Sequence, residues 1–273
     1  MSAAGSGAAS IAPLNVQWLQ AAVIASGGLW TGIEVVARTG STNADALALA
    51  RGGAPEGTVI ATEEQTAGRG RQGRSWQSRP MTALTFSVVL RPRSVPQAAR
   101  GWVPLLAGVA TAAAVRVTTA AAARLKWPND VLIGDGKLAG ILAEQSGGAI
   151  VVGIGLNVLG RPEELPVPTA TSLELHGAAG TDRTVLLAEI LREFSRRYQR
   201  WCQIGPGDAE ASGLRAEYLS LCGTLGREVK VSLPGDRTLA GTAVDVDGTG
   251  RLVVRTGADR LVPVSAGDVI HVR

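Results

Sequence analysis

The spacing of apolar positions changes character at Gly223, and that change divides the chain into a larger and a smaller part. Before it, stretches with a helical period are interleaved with short β-branched runs. After it, only short alternating stretches remain, separated by glycine and aspartate. In the larger part, 14–25 reads as a short helix with Pro13 in its first turn, and 33–37 reads as a strand. Ser41 or Thr42 caps a helix over 44–50 that Gly52-Gly53 stops. The β-branched run 58–62 predicts a strand leading straight into an arginine-rich loop, and 84–90 predicts another that ends at Pro92. The alanine-rich stretch 97–119 predicts a long central helix. A short strand at 124–127 stops at Pro128, and 131–133 with 138–145 predict a hairpin about Gly134-Asp135-Gly136. Stretch 149–158 reads as a buried strand. Stretch 181–203 places Leu186, Leu187, Ile190, Leu191, Phe194 and Tyr198 on one side of a helix, and 209–221 predicts a last one.

Beyond Gly223, strands are predicted at 229–233, 238–246, 252–255 and 261–264, consistent with a small SH3-like β-barrel. Strands and helices in the larger part do not alternate regularly. The fold class expected is therefore α+β, a mixed sheet with flanking helices, rather than a doubly wound sheet. The division predicted is a flexible tail and short helix over 1–26, a main domain over 27–222 and the barrel over 223–273.

Composition narrows the function classes. Apolar residues make up 45% of the 273 positions and charged ones 18%, which excludes disorder for most of the chain. A net charge of +4 suits an anionic small ligand or an acidic partner and does not demand nucleic acid. Cys202, Cys222, His176 and His271 are the only cysteines and histidines, without metal-ligand spacing, so a structural zinc site is not expected. The two cysteines read as reduced thiols of a cytoplasmic protein. No lysine or arginine precedes Arg38, so the start lacks the charged region of a signal peptide. The run 103–123 is apolar, but Arg116 and interspersed threonines and glycines favour a buried helix over a membrane span.

Candidate chemistry gathers in two places. Residues 68–76, Gly-Arg-Gly-Arg-Gln-Gly-Arg-Ser-Trp, set three arginines and three glycines in one run able to close around a small anion. Lys126-Trp127-Pro128-Asn129-Asp130 and Lys137-Leu138-Ala139-Gly140 follow. Only Lys126, Lys137 and Lys230 are lysines, and two of those three lie in these motifs. In an arginine-rich chain, lysine at such positions points to a need for a compact point charge. An amide and a carboxylate beside two lysines suit a magnesium–phosphate environment. Gly68, Gly70 and Gly73 match a dinucleotide spacing, but Arg74–Pro80 does not open the helix that such a turn requires. The bland alternatives are a solvated or RNA-contacting Gly-Arg loop, lysines snorkelling from strand ends, turn roles for Asn129 and Asp130, and a core role for Trp76. His176 and His271 receive no role.

Taken in order, these segments resemble the biotin–protein ligase family. The resemblance is carried by Ser41-Thr42-Asn43, Glu64-Gln65-Thr66-Ala67, Gly68–Trp76, Lys126–Asp130, Lys137–Glu144, Val152–Val158 and Val264-Ser265-Ala266-Gly267-Asp268-Val269. Some members carry an amino-terminal helix-turn-helix; the few residues before the first strand resemble the monofunctional form, with no DNA partner. The resemblance implies a class II synthetase-like catalytic domain that joins biotin to ATP as biotinyl-5′-adenylate, with Mg²⁺. Biotin then passes to one lysine of a biotin carboxyl carrier domain of an acyl-CoA carboxylase. Ser41, Thr42, Asn43, Gln65, Arg69, Gly70, Arg71 and Lys137 are implied for biotin. Arg74, Trp76, Asn129 and Asn157 are implied for ATP, and Arg71, Lys137 and Asp130 for catalysis. Magnesium is implied through Asn129 or Asp130 and the phosphates. The strands around Ile141-Leu142 and 150–154 are expected to line an apolar slot for the biotin ring. No membrane partner and a monomer or weak homodimer are expected. A lipoate–protein ligase is the rival with the same chemistry, and a nucleic-acid-binding module the rival of another class.

Overall fold

A computed structural model describes residues 12–25, 27–233, 237–257, 259–265 and 267–272. Of the tail and short helix expected over 1–26, residues 1–11 and 26 lie outside the described residues. The larger part is built on a seven-stranded sheet. Its strands are β1 (Gly32–Val36), β2 (Thr58–Thr62), β5 (Ala83–Leu90), β6 (Ala123–Lys126), β7 (Asp130–Ile133), β8 (Gly136–Ser146) and β9 (Ala149–Asn157), in the order β1-β2-β5-β9-β8-β7-β6. Only β1 and β2 run parallel; every other neighbour is antiparallel. The arginine run is not an open loop after β2. It forms a hairpin of β3 (Gly68–Arg69) and β4 (Ser75–Trp76), with Gln72 at its tip in the left-handed region (φ 55).

Period two along the strands sends side chains to two different cores. Ile150, Val152, Ile154 and Leu156 of β9 join the main core with Phe86 and Val88, under α3 (Trp102–Thr119) and α4 (Arg183–Gln203). Ala149, Val151 and Val89 point the other way, against Ala46 and Ala50 of α2 (Thr42–Arg51). That second face carries the site. Helix α2 starts where Ser41 caps it by accepting from the Ala44 amide, and α4 starts where Asp182 accepts from Thr184 and Val185.

The remaining helices are shorter than their apolar pattern predicts. The first is α1 (Val16–Leu19), capped by Asn15 and continued by a π-turn over Gln20–Ile24; Pro13 precedes the cap. Stretch 97–101 is a 3₁₀ turn before α3. Helix α5 spans Leu214–Leu221, because the Asp208 carboxylate instead holds the Glu210 and Ala211 amides in a turn. Among the described residues one helical stretch, Gln97–Thr119, is long and apolar enough to cross a membrane, and 67% of its apolar window is buried in the protein. Both cysteines are free, and burial pushes the Cys202 thiol up to about 11.

The smaller part is a five-stranded antiparallel sheet. It comprises β10 (Glu228–Leu233), β11 (Arg237–Val246), β12 (Leu252–Arg255), β13 (Leu261–Val264) and β14 (Asp268–His271), in the order β13-β12-β11-β10-β14. The fifth strand, β14, has no counterpart in the sequence reading. Buried tryptophans fasten this sheet to the larger part: Trp102 Nε1 donates to Gly248 O (2.9 Å) and Trp127 Nε1 to Gly250 O (3.0 Å).

Candidate active site

A cavity of about 840 Å³ lies on the α2 face of the large sheet, between the arginine hairpin and the edge of the smaller sheet. Strand periodicity makes its floor. The next positions after Val151 on that face are Gly153, Gly155 and Asn157, and Gly140 of β8 pairs with Gly155. A Cβ at Gly153 would lie 2.1 Å from Asn43 Oδ1, and one at Gly155 only 2.3 Å from Trp76 Cε2. The glycines thus leave the depth into which Asn43 and the Trp76 indole descend.

Around this floor the cavity gathers every residue implied for biotin, ATP or catalysis. Ser41, Thr42, Asn43, Gln65, Arg69, Gly70, Arg71, Arg74, Trp76, Asn129, Asp130, Lys137 and Asn157 all line it. At one end the polar groups hold one another. Gln65 Oε1 accepts from the Thr42 amide (2.8 Å) and hydroxyl (3.1 Å). Ser87 donates to Thr42 Oγ1 or Asn43 Oδ1 (2.8 and 2.6 Å), and Asn43 Nδ2 donates to Glu144 (2.8 Å) and Leu142 O (3.3 Å). A network so satisfied fixes its members' orientation before any ligand arrives.

The charged groups stand farther along. Lys137 Nζ lies 2.6 Å from Asp130 Oδ1, with side chains 30% and 20% exposed. Among the described residues that oxygen has no partner of hydrogen-bond geometry, so the contact is an ion pair held by charge. Arg71 donates to Asn129 Oδ1 (3.0 Å) and to Gly267 O (3.4 Å), so the hairpin tip rests on the smaller sheet. Asn129 Nδ2 in turn donates to Ile141 O (3.0 Å), and Asn157 Nδ2 to Thr171 O (3.0 Å). The Trp76 indole Nε1 is buried without a hydrogen-bond partner among the described residues. A buried donor left unmatched costs about 1–3 kcal/mol, which a ligand acceptor would recover.

No cluster of three or more acidic, histidine or cysteine side chains able to hold a metal exists among the described residues. Asp130 and Asn129 are each already engaged. Asn129 or Asp130 would hold a divalent cation only together with a ligand's phosphates, as is common for magnesium.

The apolar slot is narrower than expected. Ile141, Leu142 and Ile154 line the cavity, but Ile150 and Val152 face the main core and Val151 lies beneath α2. Lys126, singled out in the sequence beside Lys137, lines the cavity too, whereas the sequence reading missed Arg227 and gave His271 no role. Gly153 and Gly155 were legible as a period-two row. His271 was not, because β14 finds its place by pairing with β10 some forty residues earlier.

The chain is similar to known proteins over both of its parts. Residues 35–160 match the Biotin/lipoate A/B protein ligase family and residues 224–272 the biotin protein ligase C-terminal domain. A biotin–[acetyl-CoA-carboxylase] ligase of Mycobacterium tuberculosis is 44% identical over 96% of this chain and 97% of its own. One from Paracoccus denitrificans is 35% identical over 84% of this chain and 96% of its own. Among solved structures, the biotin protein ligase from Aquifex aeolicus in complex with biotin and ATP superposes with a TM-score of 0.74. It is 27% identical and covers 89% of this chain and 100% of that one.

Proposed function

This chain belongs to the family of biotin–[acetyl-CoA-carboxylase] ligases, and from that premise we infer that it activates biotin with ATP and transfers it to a carrier lysine. The observation that carries the reading is the single cavity in which an ordered polar pocket, an ammonium–carboxylate pair and an arginine hairpin meet. The relatives bear the name of biotin rather than lipoate, which favours this reading over its sister chemistry.

In this proposal Ser41, Thr42, Asn43 and Gln65 hold the biotin head, and Arg69 and Gly70 close over it. Lys137 and Arg71 meet the carboxylate where it approaches the α-phosphate. Two anions must come together there, so fixed cations lower the barrier. Trp76, Arg74, Asn129 and Asn157 take the nucleotide, with the orphaned indole N–H donating to it. Asn129 or Asp130 would hold magnesium, which when bound would neutralise charge on the phosphates. In the second step the acceptor lysine, with an ordinary pKa near 10.4, is neutral in only about one copy in a few thousand at pH 7. Asp130 is assigned to receive its proton. Residues 27–222 carry the chemistry, and 223–273, the SH3-like part, closes the site and contributes to docking the carrier domain. The enzyme works in the cytoplasm as a monomer or weak dimer, without a DNA partner.

The reading is tested by incubating the protein with biotin and Mg-ATP without acceptor and analysing the bound fraction by mass spectrometry. Biotinyl-adenylate in that fraction, and no lipoyl-adenylate from lipoate, is the expected result; its absence counts against the assignment.

Two variants probe the residue roles. Arg71→Gly removes the bonds to Asn129 and Gly267 O. Adenylate should still form but be released about 10- to 100-fold faster, the scale of a lost charge-assisted bond. Trapping of released adenylate by hydroxylamine measures this, and an unchanged release rate denies the hairpin a shielding role. Gly155→Ala places a methyl where the indole lies. The KM for ATP should rise about tenfold or more, since a displaced ring forfeits roughly 1–3 kcal/mol of base stacking. Biotin affinity should stay unchanged in calorimetry, and equal loss of both ligands would deny Trp76 a nucleotide role.

A further inference from the structure

Ser87 of β5 stands fully buried, one layer behind the residues that line the polar end of the cavity, and pairs in register with Gly153 of β9. A Cβ at Gly153 would lie 2.1 Å from Asn43 Oδ1 and 3.2 Å from Ser87 Oγ, so the bare glycine lets these two side chains meet. Three oxygen–oxygen contacts run through this spot. They are Ser87 Oγ to Asn43 Oδ1 (2.6 Å), Ser87 Oγ to Thr42 Oγ1 (2.8 Å) and Thr42 Oγ1 to Gln65 Oε1 (3.1 Å). The amide oxygens are fixed by their other partners. Asn43 Nδ2 donates to Glu144 and to Leu142 O, and Gln65 Oε1 accepts from the Thr42 amide. The three contacts therefore share only two protons, one from each hydroxyl. Turning the Thr42 proton toward the cavity would leave two of the three as bare oxygen pairs. Both protons stay inside.

We propose that Ser87 is a positioning residue for head-group recognition: it keeps the hydroxyl protons within the network, so that Thr42 meets the ligand as an acceptor and the pocket demands an N–H there. The inference rests on the reading that this pocket holds the biotin head, whose cyclic urea offers two N–H groups and one carbonyl. The Thr42 oxygen matches one N–H. The carbonyl needs donors, and two side chains have protons to give. The Ser41 hydroxyl only accepts at its helix cap, from the Ala44 amide (3.5 Å), and Gln65 has its oxygen end held by the Thr42 amide. A ring without N–H, such as the dithiolane of lipoate, leaves the Thr42 oxygen unmatched, so the same proton count selects against it. With alanine at position 87, one contact and one hydroxyl proton would remain. Thr42 could then turn its proton outward, because Gln65 Oε1 still accepts from the Thr42 amide. The demand for an N–H would relax.

The test uses the full-length protein and three probes: biotin and the two cyclic carbamates in which one or the other ring N–H is replaced by oxygen. Calorimetry reads the affinities. The unmodified protein should bind the weaker carbamate about 10²-fold less tightly than biotin, because an oxygen then faces the Thr42 oxygen. In Ser87→Ala, biotin should weaken while that carbamate does not, so that the ratio between them falls about tenfold, the scale of one lost hydrogen bond. Ser87→Thr, which keeps the hydroxyl, should restore the ratio, and the KM for ATP should stay within about twofold in both variants. A ratio unchanged in Ser87→Ala, even with all three probes weakened, would mean that Ser87 only packs beneath the pocket. Equal binding of all three probes by the unmodified protein would mean that Thr42 is not an acceptor; either result overturns the proposal. If the unmodified protein binds neither biotin nor a carbamate, the functional reading itself fails and the proposal with it, a distinct outcome.

Discussion

Replacing Lys137 by alanine should lower the rate of biotinyl-adenylate formation about 10²- to 10³-fold, the range seen when one fixed electrostatic donor is removed from a reacting centre. Two effects add. The cation that screens the meeting of carboxylate and α-phosphate disappears. The Asp130 carboxylate, 20% exposed and held at 2.6 Å by that same ammonium, is left as a bare anion in the cavity. The loss should appear mainly in kcat in single-turnover pyrophosphate release, since the polar pocket around Thr42, Asn43 and Gln65 is untouched. Lys137→Arg should rescue little, because a planar fork does not reproduce a point charge at that distance. Adding Asp130→Asn to Lys137→Ala should recover part of the rate by removing the stranded anion. A loss below about threefold in Lys137→Ala would remove it from the catalytic roles.

The largest stability effect is expected at Arg183→Met. The Arg183 guanidinium, 4% exposed, pairs with Glu63 at 2.7 Å and donates to Ala83 O (3.2 Å) and Ala12 O (2.8 Å). Glu63 also accepts from the Leu14 amide (2.6 Å), so the pair joins α4, β5, the segment after β2 and the start of the described chain. Removing one partner of a buried pair strands the other and costs about 3–5 kcal/mol. For a chain of this size each kcal/mol lowers Tm by roughly 2–4 °C, so the variant should melt about 10 °C earlier. The double variant Glu63→Leu/Arg183→Met should melt higher than Arg183→Met alone, because no charge is left buried. Calorimetric melting checks both, and a shift below about 2 °C would show that water reaches Glu63 and screens it.

Elements fixed by local chemistry could be read from the sequence closely. Strand β2 falls at the expected residues, and the Gly134-Asp135-Gly136 turn joins β7 to β8 as its composition dictates. Long-range pairing could not. Periodicity alone does not say that β9 lies between β5 and β8, nor that Asp268–His271 closes the smaller sheet against β10. The motif residues were found because their types announce anion chemistry. His271 and Arg227 carry no such signal, since they reach the cavity only through that closure. The glycine row was visible in principle, but its meaning depends on Asn43 and Trp76 arriving from other elements.

The most direct measurement is mass spectrometry of a biotin carboxyl carrier domain incubated with this protein, biotin and Mg-ATP. A companion reaction uses the same domain with its acceptor lysine changed to arginine. One biotin should be added to the first domain and none to the second, with pyrophosphate released only when biotin is present. No modification of either domain, or the same modification of both, would contradict the account.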